Sequence, residues 1–116
     1  MRNMSFSATK EQVRLQTKDV TRRIGWAFLK PGDVVQPIEK GQGLKKGEKV
    51  VKIGPPIRIL ANAPEQIDAI NKSDCIREGF PDRTPESFMA HFCAMNNCPR
   101  YQVVNRIEFE DLEEMT

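Results

Sequence analysis

Lys18-Asp19-Val20-Thr21-Arg22-Arg23, followed closely by Trp26 and by Lys30-Pro31-Gly32-Asp33, is the stretch on which the reading of this chain depends. Six residues hold an amine, a hydroxyl and two guanidinium groups, which suits either a small catalytic site or a surface facing phosphate. Residues 20–28 favour β structure, and Pro31-Gly32 supplies the fixed negative φ and the positive φ of a type II turn. The hexapeptide therefore feeds a strand that ends in a tight turn.

On the N-terminal side, residues 4–7 can form a strand, and Ser7 or Thr9 can cap a short helix over residues 10–16, with Gln12 placed as in a capping box. On the C-terminal side, residues 33–38 read as a strand, where Pro37 lacks an amide donor and demands an edge or a strand end. Gly41, Gly43 and Gly47 interrupt a lysine-rich stretch from Lys40 to Lys49, expected to be a hairpin loop before a strand over residues 49–53. Residues 57–60 suit a further strand, and Asn62 can cap a helix over residues 64–71, on which Ile67 and Ile70 share a face. Thr84 and Pro85 open another helix, with Phe88, Met89, Phe92 and Cys93 on its core face. Residues 101–110 close as a strand, with Val103, Asn105, Ile107 and Phe109 on one side. Five or six short strands, two or three short helices and no regular β-α-β alternation give an α+β domain built on a small, mostly antiparallel β-barrel.

A chain of 116 residues is most simply one domain, spanning 1–116, with enough length to enclose a core. Charged residues at 29% and apolar ones at 39% fit neither a disordered chain nor a membrane protein. The N-terminal residues lack a signal-peptide core, and the longest apolar patch, Trp26 to Leu29, is far too short for a bilayer, so the expectation is a soluble cytoplasmic protein. Three cysteines cannot all pair, and reduced thiols are expected. A net charge of +2 does not by itself imply nucleic-acid binding. Its distribution says more: Lys and Arg gather in the first half, whereas residues 108–114 are acidic.

The hexapeptide, Trp26, Lys30 to Asp33, Arg77-Glu78-Gly79-Phe80 ahead of Thr84-Pro85-Glu86-Ser87-Phe88, and Ile107-Glu108-Phe109 together resemble the ASCH (activating signal cointegrator homology) domain. The resemblance covers nearly the whole chain. It implies a barrel like that of PUA (pseudouridine synthase and archaeosine transglycosylase) domains, with a cleft associated with RNA or nucleosides. A small bacterial branch of the family hydrolyses the amide of N4-acetylcytidine with a Lys, a Thr three residues on and a distant Glu, an arrangement that Lys18, Thr21 and Glu78 match. In that chemistry a desolvated lysine takes the threonine proton, and the glutamate orients the lysine or protonates the leaving amine, with no metal or cofactor required.

Strand geometry sets a condition. Residues three apart face opposite sides of a strand, so Lys18 and Thr21 share a site only if the backbone bends between them. The alternative is a non-catalytic module for single-stranded RNA, in which Arg22 and Arg23 clamp phosphate and Trp26 and Phe80 stack on bases. Packing is the competing role for Trp26, and pairing with a carboxylate for Arg23. The lysine-rich loop and the arginine pair depart from the hydrolytic branch and bear on the substrate. A ribonuclease is a further option, although the single histidine, His91, is distant in sequence. His91, Cys93, Cys98 and Cys75 do not reproduce zinc-ligand spacing, and Gly41 to Gly47 lacks a P-loop ending, so no metal or phosphate-loop site is assigned.

Overall fold

The computed structural model of the chain describes residues 1–40 and 47–112. The expected loop around Gly41 and Gly43 therefore lies largely outside the described residues. Five strands, β1 (Arg2–Ser5), β2 (Val20–Arg23), β3 (Val34–Ile38), β4 (Ile57–Gln66) and β5 (Val103–Asp111), form one sheet in the order β1-β3-β4-β5-β2. Three helices accompany it: α1 (Lys10–Arg14), α2 (Lys72–Arg77) and α3 (Pro85–Asn96). The α+β class is as expected from the sequence, and among the described residues only β1 and β3 pair in parallel.

Closure into a barrel is not observed, because no ladder joins the edge strands β1 and β2 among the described residues. β2 stops at Arg23 instead of running to Phe28, and Gly25, with φ +87°, turns the chain away. The Arg23 guanidinium bridges the two edges, donating from Nη2 to the Ser5 carbonyl at 2.5 Å. The turn at Lys30 to Asp33 is formed, with the Asp33 amide donating to the Lys30 carbonyl and Gly32 at φ +95°.

Two further elements differ from expectation for local reasons. β4 continues through Pro64, where a helix was expected, since β3 pairs only with Ile57 and Arg58 and the missing amide faces no second ladder. A 3-10 turn (Ile67–Ala69) follows, and Asn71, not Asn62, caps α2 by accepting from the Asp74 amide at 2.8 Å. Asn62 instead ties down the loop after β2, donating to the carbonyls of Trp26 and Leu29. Residues 49–53 make one bridge, Lys52 to Ile38, rather than a strand. Pro37 lies beyond the last β4 partner of β3, as a strand-end proline should. Thr9 makes no side-chain cap, and the Gln12 side chain reaches across to the Gly79 carbonyl instead of back to Thr9.

β5 separates two apolar clusters. Ile107 and Phe109 join Met4, Val35, Ile57 and Ile59 on one side, while Val104, on the other parity, packs with Ile67, Cys75, Phe88 and Phe92 beneath α2 and α3. Val103, expected on the core face, is exposed. The capping box at Thr84 and Ser87 fixes the start of α3, so that Phe88, Met89 and Phe92 are buried as their spacing requires.

Candidate functional site

Lys18 stands just ahead of β2, where the Asp19 amide donates to the Arg77 carbonyl and the Phe109 amide to the Asp19 carbonyl. β2 begins only at Val20, so strand alternation does not separate Lys18 from Thr21. Glu78 caps the C-terminus of α2, and Gly79 beside it has φ +98°; a Cβ there would lie 2.7 Å from Gln12 Cγ, so glycine alone fits the turn that delivers Glu78.

The two meet in the interior. Lys18 Nζ donates to Glu78 Oε1 at 2.7 Å and to the Glu78 carbonyl at 2.9 Å, with both side chains almost wholly buried. Arg22 Nη1 donates to Glu78 Oε2 at 3.2 Å, and its Nε and Nη2 hold Glu65 Oε2 at 3.0 and 2.7 Å. Nη2 also pairs with Asp74, whose carboxylate receives Nε and Nη2 of Arg106. Through Glu108 and Arg77 the chain of ion pairs reaches Asp19 at the surface.

Burial pushes the Lys18 amine below its ordinary value, against the opposing pull of Glu78. Burial also opposes the Arg22 cation, yet hydrogen bonding to Asp74 and the fields of Glu78 and Glu65 hold it above its ordinary value. Arg106 and then Arg22 keep the Asp74 carboxyl well below the carboxylate range despite its burial.

Lys18, Thr21, Arg23, Trp26, Glu78 and Phe80 line one cleft of about 500 Å³. Thr21 Oγ1 accepts from Arg23 Nε at 3.2 Å, and no hydrogen bond joins it to Lys18 among the described residues. The Arg23 guanidinium lies over Phe6 at 4.5 Å and over Trp26 at 5.7 Å, and burial lowers its pKa to about 10. Trp26 is half-buried against the core, and Phe80 packs edge-on against Phe88. Arg22, expected beside Arg23, also lines this cleft, with its side chain 1% exposed and engaged by three carboxylates.

The opposite wall of the cleft belongs to α3, which contributes His91, Phe92, Met95 and Asn96. The sequence marks that helix as core and its histidine as remote; Met95 continues the helical row of Phe88 and Phe92, so the core face itself runs on to the cleft. The roles of Glu65, Asp74 and Arg106 had no sequence signal, since their partners come from distant segments. Among the described residues no cluster of three or more His, Cys, Asp or Glu is arranged for a metal ion, and no helix is long and apolar enough to cross a membrane.

No family model matches the chain, and no curated protein matches it. Solved structures do. A protein of Enterococcus faecalis from the family DUF984 superposes with a TM-score of 0.62 at 13% identity, covering 91% of this chain and 71% of its own. An ASCH domain from Lactobacillus crispatus superposes with a TM-score of 0.56 at 11% identity, covering 96% of this chain and 77% of its own. The fold is an ASCH fold. At these identities the likeness is one of architecture, and the ASCH fold leaves the chemistry to be argued from the cleft.

Proposed function

We propose that the cleft binds a cytidine acylated on N4 and hydrolyses its amide. The observation that carries this reading is the buried contact of Lys18 with Glu78 in a cleft that also holds Thr21. A buried lysine with a lowered pKa is costly to maintain and suits a base better than a binding surface.

Thr21 Oγ, already accepting from Arg23 Nε, keeps its proton free for transfer. In the neutral-amine form Lys18 takes that proton as the oxygen attacks the acyl carbonyl, and the Arg23 cation favours the developing negative charge. The tetrahedral intermediate collapses with release of the cytidine N4 amine, which receives the proton from Lys18 or through Glu78. Water then enters by the same route, cleaves the acyl-threonine ester and releases the carboxylic acid. Arg22 positions Glu78 without touching substrate.

Incubation with N4-acetylcytidine is expected to yield cytidine and acetate, followed by chromatography. Thr21→Ala should reduce turnover to the uncatalysed level, and Lys18→Met should lower kcat by roughly 10²–10⁴-fold. Absence of cytidine, or full turnover by Thr21→Ala, rejects the mechanism.

A second reading, a non-catalytic module for single-stranded RNA, draws on a second cleft of about 560 Å³ that shares Arg23 and Trp26 and has Lys40 at its rim. It requires salt-dependent binding that Thr21→Ala leaves unchanged and Arg22→Ala weakens. The commitment of Arg22 to carboxylates favours the hydrolytic reading.

A further inference from the structure

The last turn of α3 places two thiols together at the end of the cleft wall. Asn97 has φ +49° and ψ +52°, and the Cys98 amide donates to the Cys93 carbonyl at 3.1 Å. In this left-handed helix ending, the residue after the left-handed position packs its side chain on the one five residues back. Here both are cysteines, each half-buried against the helical cluster, and the Cys98 thiol interacts with that of Cys93. α2 ends in the same manner, with Gly79 left-handed and the Phe80 amide donating to the Cys75 carbonyl at 2.9 Å. There the facing pair is Phe80 with a wholly buried Cys75. One helix ending therefore packs a ring on a thiol, and the other faces two thiols across five residues.

We infer that Cys93 and Cys98 are a redox-active pair that closes to an intrachain disulfide on meeting a low-molecular-weight disulfide. One cysteine, as thiolate, attacks a sulfur of that reagent, forming a mixed disulfide and expelling one small thiol. The other cysteine, as thiolate, then attacks the mixed disulfide, forming the Cys93 to Cys98 bond and expelling the second small thiol. Two protein thiols are oxidised and one external disulfide is reduced to two thiols, so electrons and atoms balance. Closure spans a short loop and fixes the turn that carries Met95 and Asn96 into the cleft.

The test uses the full reduced chain and oxidised glutathione. Burial pushes the Cys98 thiol up, so the exchange is run near the ordinary thiol pKa of about 8.5. After alkylation and digestion, mass spectrometry should show the loss of two hydrogens, a peptide linking Cys93 with Cys98 and an alkylated Cys75. The oxidised chain should melt roughly 5 °C higher, and dithiothreitol should reverse the rise. Cys93→Ser should instead retain a stable glutathione adduct on Cys98, while Cys75→Ser should behave as the parent chain. Lasting adducts on both Cys93 and Cys98, a link through Cys75, or unaltered thiols after the same incubation would overturn the inference.

Discussion

Lys18 and Glu78 stand 2.7 Å apart with 3% and 4% of their side chains exposed, whereas Arg58 and Glu110 stand 3.1 Å apart with 47% and 46% exposed. The separations are similar, but solvent access is not. On the surface of β4 and β5 the charges stay hydrated, their attraction is screened, and such a pair contributes at most about 1 kcal/mol. In the cleft each ion has given up hydration worth several kcal/mol, which Coulomb attraction and hydrogen bonds only offset. Stability alone gives little reason to bury such a pair, and the proposed chemistry would give one.

The sharpest way to break the contrast is Glu78→Ala. Lys18 and Arg22 would lose a shared carboxylate in the interior, at a cost of about 3–5 kcal/mol in urea unfolding, together with loss of turnover. Glu78→Gln, which keeps the shape, separates the two effects: its circular dichroism should match the parent chain while its activity is lost.

Asp74→Asn probes the same network through pH. The folded carboxyl sits below its ordinary value of 3.8, so the stability it contributes is complete above that value and is lost as the pH falls toward the folded pKa. Urea midpoints of the parent chain should therefore drop on acidification below about pH 4, and those of Asp74→Asn should start lower and fall less steeply. Lys18 acts in the same sense at higher pH. Its folded pKa lies below 10.5, so the unfolded chain holds the proton more tightly and the penalty of burying the cation is relieved as the pH rises through the folded value. Arg58→Ala is expected to have the smallest effect, a change below about 1 kcal/mol that disappears in high salt.

How much of this was legible in the sequence follows from how local each signal is. Thr84, Pro85 and the apolar positions of α3 are neighbours in the chain, and α3 formed as expected. Lys18, Thr21 and Glu78 came from the ASCH resemblance, and they line one cleft. Pro64 misled because its tolerance in β4 depends on where β3 stops pairing, which is set by the sheet and not by the residues beside it. α2 escaped notice because six residues give too few turns for a periodic signal. The partners of Arg22 escaped for a different reason: Glu65 and Asp74 reach it only after β4, β5 and β2 are in register.

Among the described residues β2 has a single ladder partner, and Thr21 faces Ile107 across it. A growing chain therefore exposes the Thr21 hydroxyl long before the strand that seats it has been made. Until β5 arrives, the amides of β2 remain bound to water, and Arg22 has neither its register nor its carboxylates. Assembly of the cleft then waits on a pairing of large sequence separation, a slow kind of step in folding. Residues 18–23 are synthesised well before β5, yet the cleft they line is complete only once β5 has paired with β2.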